Sequence, residues 1–289
     1  MEISGRTKIC GVIGNPIKHT LSPIMHNAAF KKLNLDFAYV AFKVEENMLQ
    51  EAIEGMRALR IHGLNVTIPH KESIIQFLDG IDPEARDIGA VNTILNKADE
   101  LIGYNTDGIG AIKAIEGHKI NPRKKRIVML GAGGSARSIA YHISQVAEKV
   151  VVLNRTKERA KKLAENLKFK INANIVWDQL SKEVIRTQLI DADILINATS
   201  IGLSPGLYES LVDPKFLNPE LCVLDIVYNS VGTKLIRDAR MVGAKTIDGI
   251  DMLIYQGAMA FTIWTGMKAP IKTMKDAIIQ EISKFSKKY

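Results

Sequence analysis

Short apolar runs alternate with stretches of helical spacing through the first hundred residues. Lys8–Ile13 is an apolar run stopped by Gly14-Asn15-Pro16, which reads as a strand ending in a turn. Ser22 before Pro23 has the form of a helix cap followed by the first helical position. Ile24, Ala28 and Leu33 then share a face, so the spacing predicts a helix over Ser22–Leu33. Phe37–Val44 is β-rich, and Leu49, Ile53, Met56 and Leu59 recur at helical spacing within Asn47–Arg60. Gly63–Ile68 reads as a strand ending before Pro69. This strand–helix–strand–helix order predicts a parallel sheet covered by helices. Ala90–Leu95 and Leu101–Tyr104, joined by a polar turn, predict a hairpin.

A second pattern starts near residue 107. A helix over about Gly108–Glu116 leads to a polar joint at Asn121–Lys125. Arg126–Leu130 then opens a new strand–helix–strand unit, with a helix through about Val146 and a strand at Lys149–Leu153. Asp193–Ala198 and Leu221–Val227 are further buried strands, and Lys272–Lys287 is an amphipathic helix. Periodicity does not say which half of the chain that last helix packs on. The expected class is α/β, in two domains.

Length agrees: 289 residues exceed the usual single core. A chain 46% hydrophobic and 24% charged is neither disordered nor fibrous. The net charge of +8 is unevenly placed, because residues 107–249 carry 22 basic against 15 acidic side chains. That segment is the one suited to an anion. Two cysteines, Cys10 and Cys222, far apart in the chain, make neither a disulfide framework nor a thiolate metal cluster, and no histidine spacing calls for a metal. The first residues lack the apolar stretch of a leader and no run spans a bilayer, so a cytoplasmic protein without membrane partners is expected.

The strongest local signal is Leu130-Gly131-Ala132-Gly133-Gly134-Ser135-Ala136, a Gly-x-Gly-x-x-Ala fingerprint between an apolar strand and a helix. Gly131 permits the tight turn, Gly133 lets backbone approach a pyrophosphate, and Ala136 lets helix pack closely on strand. The second strand chooses the nucleotide. An NAD site ends it with a carboxylate, whereas here it runs into Asn154-Arg155-Thr156-Lys157-Glu158-Arg159. Arg155, Thr156 and Arg159 offer two guanidinium groups and a hydroxyl to a 2′-phosphate, which favours NADP. Thr199, Ser200 and Tyr228 follow later strands, where the crevice of a doubly wound sheet lies.

In the first half, Thr20, Ser22, Thr67, Lys71, Asn92 and Asp107 sit where the chain changes direction. Singly, Ser22 and Asp107 read as helix caps and Lys71 as a surface lysine. Together they describe a pocket for a small, oxygen-rich molecule. These segments, with Gly131–Arg137, Asn154–Arg159, Ile196–Ser200, Asp225–Tyr228 and Asp248–Ala258, closely resemble the shikimate dehydrogenase family over nearly the whole chain.

The resemblance implies a substrate domain over 1–106 to which residues 250–289 return, a Rossmann NADP domain over 107–249, and an active site in a cleft between them. It implies reversible NADPH-dependent reduction of 3-dehydroshikimate to shikimate. By the same resemblance Thr20 and Ser22 hold the substrate carboxylate with help from Tyr228, and Thr67, Asn92 and Gln256 bind ring hydroxyls. Lys71 and Asp107 flank the reacting oxygen as the catalytic pair. The cofactor set it implies is Gly131, Ala132, Gly133, Gly134, Ser135, Ala136, Asn154, Arg155, Thr156, Arg159, Thr199, Ser200, Val227 and Gly249. Thr20 stands where many members have Ser, which keeps the hydroxyl. Asp251 stands where many have Gly, a departure that bears on the local turn.

Three other readings compete. They are a quinate/shikimate dehydrogenase of broader substrate or cofactor use, a non-catalytic NADP-sensing regulator, and a nucleic-acid binder. Arg155–Arg159 argues against NAD, and the presence of Lys71 and Asp107 argues against a regulator. The basic runs at Arg123–Arg126 and Lys287-Lys288 come without a stacking motif, so no nucleic-acid partner is expected. A homodimer is compatible with the sequence. Replacing Arg155→Asp is expected to lower the preference for NADPH over NADH; an unchanged ratio of kcat/KM for the two cofactors would contradict the assignment.

Overall fold

The computed structural model describes residues 3–203, 209–228 and 232–286, so Lys287-Lys288 lies outside the described residues. The chain forms two compact units, Met1–Asp107 with Leu253–Tyr289, and Gly108–Met252. Among the described residues no helix is long and apolar enough to cross a membrane.

The first unit runs β1 (Lys8–Gly14), α1 (Ser22–Lys32), β2 (Phe37–Lys43), α2 (Leu49–Ala58), β3 (Gly63–Val66), β4 (Gly80–Ile81), α3 (Pro83–Ile88), β5 (Thr93–Lys97) and β6 (Glu100–Tyr104). Its sheet has the order β2-β1-β3-β5-β6-β4. β1 is parallel to β2 and β3, but β5 is antiparallel to both β3 and β6. The sheet is therefore mixed rather than parallel. β1, β2 and β3 keep the expected parallel pairing, and β5 and β6 form the expected hairpin, reversed between the paired Lys97 and Glu100 by a tight turn at Ala98 and Asp99, both at positive φ (53° and 68°).

Three sequence expectations for the helices fail locally. The helical spacing runs on to Leu59, yet α2 ends at Ala58 and Leu59 is exposed, while Leu49, Ile53 and Met56 fill the core with Leu64, Val66 and Ile94. In α1 the buried residues are Ser22, Met25, His26, Ala29 and Phe30, not Ile24, Ala28 and Leu33. Polarity misleads there. Asn27 is spent on the backbone of Tyr39, donating to its O at 2.9 Å and accepting from its N at 2.8 Å. His26 is buried as an aromatic, stacked on Tyr39 at 4.5 Å between centroids. Ser22 is also not the cap. Leu21 holds that position, and the amide of Ser22, inside the first turn, donates to the Thr20 hydroxyl at 3.3 Å.

The second unit holds α4 (Asp107–Gly117, from Gly108), β7 (Arg126–Leu130), α5 (Gly134–Ser144), β8 (Lys149–Asn154), α6 (Lys157–Ile171), β9 (Ile175–Gln179), α7 (Lys182–Leu189), β10 (Ile194–Asn197), β11 (Cys222–Asp225), α8 (Lys234–Met241) and β12 (Lys245–Ile247). Its strands are all parallel, in the order β12-β11-β10-β7-β8-β9. Strand order reverses between β7 and β10, the position where doubly wound sheets bind ligands beyond the strand ends. Ile127–Leu130, Val150–Leu153, Ile194–Ile196 and Val223-Leu224 are buried without alternation, the continuous apolar strands that a sheet covered on both faces requires.

The chain closes with α9 (Gly249–Thr265) and α10 (Ile271–Ser286). α10 packs on α1, which settles the placement that periodicity left open. α9 is fixed to the first sheet by Trp264, whose Nε1 donates to Ile94 O at 2.9 Å. The indole fills the space beside Gly63, where a Cβ would lie 2.2 Å from Nε1. Burying that ring contributes on the order of 5 kcal/mol.

His26 lies in this aromatic packing with neither ring nitrogen hydrogen-bonded, and burial lowers its pKa to about 3. Its folded value lies below the unfolded value of 6.5, so the unfolded chain binds the extra proton. Stability contributed by neutral His26 is present above pH 6.5 and is lost as pH falls toward 3. His26→Leu is expected to lose less urea stability between pH 7 and pH 4.5 than the unsubstituted protein. Equal losses would contradict this source of acid sensitivity.

Candidate active site

In the first unit four of the expected side chains form one hydrogen-bonded cluster. Lys71 follows β3, Asn92 precedes β5, Asp107 ends the segment after β6, and Gln256 comes from α9. Lys71 Nζ donates to Asp107 Oδ2 at 2.5 Å, with side chains only 11% and 4% exposed. Lys71 is thus no surface lysine. Asn92 Nδ2 donates to the other oxygen, Asp107 Oδ1, at 2.7 Å, and lies 3.4 Å from Gln256 Oε1. Both carboxylate oxygens are therefore held, one by a cation and one by an amide.

The orientation of Asn92 is imposed by its other side. Its Oδ1 accepts from the Thr106 amide at 2.8 Å and from the Thr93 hydroxyl at 3.0 Å, so the NH₂ group must face Asp107. Thr93 Oγ1 accepts from Asn65 Nδ2 at 3.1 Å, and Asn65 Oδ1 accepts from the Tyr39 hydroxyl at 2.7 Å. Tyr39, Asn65, Thr93 and Thr106 were not singled out from sequence. The available signal was Asn65, a buried polar residue inside an apolar strand, where an unsatisfied amide is costly.

Thr20 and Ser22 form a separate pair, Thr20 Oγ1 donating to Ser22 Oγ at 3.2 Å. Thr67 stands beyond β3 with its methyl group against Gly14, where a Cβ would clash. Tyr228 belongs to the second unit.

The second unit carries the nucleotide fingerprint on the predicted strand–turn–helix. Gly131 adopts φ +110°, and a Cβ there would lie 2.6 Å from Ala198 O, so only glycine fits the turn. Gly133 caps α5 without a side-chain hydrogen bond, and the space around it is open. An uncapped helix start behind an open glycine is the cradle that a pyrophosphate fills. Ala136 is fully buried against the sheet. Beyond β8, Asn154 Nδ2 donates to Thr156 O at 2.9 Å, shaping the turn that presents Arg155, Thr156 and Arg159 at the surface. No carboxylate ends β8. These residues fit a dinucleotide with a 2′-phosphate.

At the other strand ends, the Thr199 hydroxyl donates to Asn197 Oδ1 at 2.7 Å, the turn-capping use, while Ser200 is exposed. Val227 is buried. Gly249 starts α9 so close to Ile226 O that a Cβ would lie at 2.3 Å. Asp251 leaves that turn helical, and its Oδ2 pairs with His118 Nε2 at 2.8 Å. Asp225, overlooked in the sequence, is fully buried at the end of β11. Desolvation raises its pKa to about 6, against the hydrogen bonds from Thr233, Val227 and Asn197, and the charge of Asp248 adds to the rise.

Three family models match the chain. They are the shikimate dehydrogenase substrate binding domain over residues 12–94, shikimate / quinate 5-dehydrogenase over 114–210, and the shikimate 5′-dehydrogenase C-terminal domain over 249–279. The chain belongs to the shikimate dehydrogenase family. The shikimate dehydrogenase (NADP(+)) of Methanocaldococcus jannaschii is 46% identical over 283 residues, covering 98% of this chain and 100% of that one. A crystal structure of a shikimate dehydrogenase in complex with NADP+ superposes with a TM-score of 0.90 at 45% identity, over 97% of this chain and 98% of that one. Quinate dehydrogenase from Corynebacterium glutamicum in complex with NAD has the same fold at lower identity. Its TM-score is 0.85 at 27% identity, over 95% of this chain and 99% of that one. The fold of this family member is thus a substrate-binding α/β domain plus a Rossmann-type domain.

Proposed function

We infer that this member of the shikimate dehydrogenase family catalyses the reversible NADPH-dependent reduction of 3-dehydroshikimate to shikimate. The observation that carries the reading is the buried Lys71–Asp107 pair, in a chain whose other unit has a nucleotide fingerprint and an arginine-bearing turn at the ribose position. Met1–Asp107 with Leu253–Tyr289 takes the substrate and Gly108–Met252 takes the nucleotide. When bound, NADPH supplies the hydride that goes to the C3 carbonyl carbon.

Reduction leaves negative charge on the carbonyl oxygen, and that oxygen needs a proton. Lys71 Nζ is the donor, and its positive charge stabilises the developing alkoxide. Asp107 Oδ2 holds the ammonium in place. Asn92 holds Asp107 Oδ1, so the carboxylate cannot swing away from Lys71. In the oxidative direction the same lysine, starting neutral, takes the hydroxyl proton.

Thr20 and Ser22 donate hydroxyl hydrogens to the substrate carboxylate, assisted by Tyr228. Thr67, Asn92 and Gln256 bind the ring hydroxyls. Around the nucleotide, Gly131–Ala136 accommodate the pyrophosphate, and Asn154, Arg155, Thr156 and Arg159 accommodate the adenosine ribose with its 2′-phosphate. Thr199, Ser200, Val227 and Gly249 border the nicotinamide. The buried free thiols Cys10 and Cys222 suit the reducing cytoplasm, where we place the protein.

NADP+ reduction with shikimate, measured beside quinate and NAD+, tests the assignment: shikimate with NADP+ is expected to give the highest kcat/KM. Lys71→Ala is expected to lower kcat by roughly 10²–10⁴-fold. Turnover near that of the unsubstituted enzyme would remove Lys71 as the proton donor.

A further inference from the structure

β11 ends in a carboxylate that the mechanism above does not use. Asp225 is fully buried, and among the described residues no lysine or arginine touches it. Neutral donors hold it instead. Oδ1 accepts from Asn197 Nδ2 at 2.9 Å and from the Val227 amide at 3.1 Å, and Oδ2 accepts from the Thr233 hydroxyl at 2.6 Å. Burying a carboxylate among dipoles is costly, as its raised pKa of about 6 reflects. A buried polar network that is fully satisfied fixes one conformation of the segments it joins.

The segments joined here are specific. Asn197 ends β10, and because its NH₂ group donates to Asp225, its Oδ1 faces Thr199 and accepts from both the amide (3.2 Å) and the hydroxyl (2.7 Å). The Thr199 hydroxyl in turn accepts from the Ile201 amide at 3.2 Å. On the other side, the bond to Val227 shapes the turn after β11. Ile226 in that turn donates to Asn197 O at 3.1 Å, and its carbonyl fills the space against Gly249. Thr233 caps α8, accepting from the Ile236 amide at 3.3 Å. One carboxylate thus sets the turn after β10, the turn after β11 and the first residue of α9.

We propose that Asp225 is a positioning residue for the nicotinamide half of the cofactor site. It acts through Asn197 on Thr199 and through the turn at Ile226 and Val227 on Gly249. The proposal rests on the reading that these residues border the nicotinamide. The adenosine half lies on other elements, the start of α5 and the turn after β8, which Asp225 does not touch.

The test separates the two halves of the ligand. Dissociation constants are measured by calorimetry for NADP+ and for adenosine 2′,5′-bisphosphate, which lacks the nicotinamide end. Thr233→Val keeps the side-chain shape and removes the Oδ2 hydrogen bond. It is expected to weaken NADP+ about tenfold, the scale of a hydrogen bond to a charged group, and to leave the bisphosphate within about twofold. Thr233→Ser restores the hydroxyl and is expected to bind both ligands as the unsubstituted protein does. Asp225→Ala is expected to lose more NADP+ affinity than Thr233→Val, again sparing the bisphosphate. Equal weakening of both ligands, or of neither, in Thr233→Val would overturn the proposal. Amide hydrogen exchange on the unsubstituted protein isolates the underlying reading. NADP+ should protect residues 199–201 and 226–227 more than the bisphosphate does. Equal protection would overturn the nicotinamide placement itself and the proposal with it. Greater protection by NADP+ alongside unaltered affinities in Thr233→Val would overturn the positioning role alone.

Discussion

A lysine and an aspartate kept nearly out of water can persist only if they pair with each other and each carboxylate oxygen finds a donor. The Lys71–Asp107 contact meets that condition, and it dictates much around it. Asp107 needs a second donor, which Asn92 provides. Asn92 needs its own amide held the right way round, which Thr93 and the Thr106 backbone do. Thr93 is tied through Asn65 to Tyr39, so the constraint passes from the turn after β3 across the sheet to β2. The mixed sheet serves this purpose: reversing the chain through β5 and β6 brings Asn92 and Asp107 to the same end of their strands, beside Lys71.

The second unit solves a different problem with the same economy of means. Its parallel strands end at one edge, and two turns there bring backbone too close for any side chain. Gly131 is required because the Ala198 carbonyl stands where a Cβ would be, and Gly249 because the Ile226 carbonyl does. Asp225 lies between the corresponding turns. Here the uncompensated carboxylate is held by neutral dipoles, whereas in the first unit a cation answers the charge. The difference matches the chemistry each is assigned: proton transfer needs a charged donor, and a nicotinamide border needs shape.

Features governed by local chemistry were readable from the sequence. Arg126–Leu130 is a strand with the predicted bounds because an apolar β-branched run meets a Gly-x-Gly turn. The arginines after β8 stand where their sequence position puts them, since a strand end and a helix start leave little freedom. Features that depend on distant partners were hidden. The buried face of α1 turns on His26 finding a stacked ring from β2 and a tilted one from α9, which no helical periodicity reports. Thr20, not Ser22, receives the first helical amide because Leu21 takes the capping position. Thr93, Thr106 and Asp225 matter through contacts across strands, and a linear reading of polar residues passes over them. β4 and α3 were missed because two residues and six residues are too short to show a period.

If Lys71 and Asp107 work as a single unit, their substitutions cannot act independently. A double-mutant cycle on kcat for shikimate oxidation, built from Lys71→Ala, Asp107→Ala and the double variant, addresses this most directly. The account predicts that the double variant is no slower than Lys71→Ala alone, because an aspartate without its lysine has nothing left to hold. Losses that multiply in the double variant would show two independent contributions and contradict the pair as the centre of the chemistry.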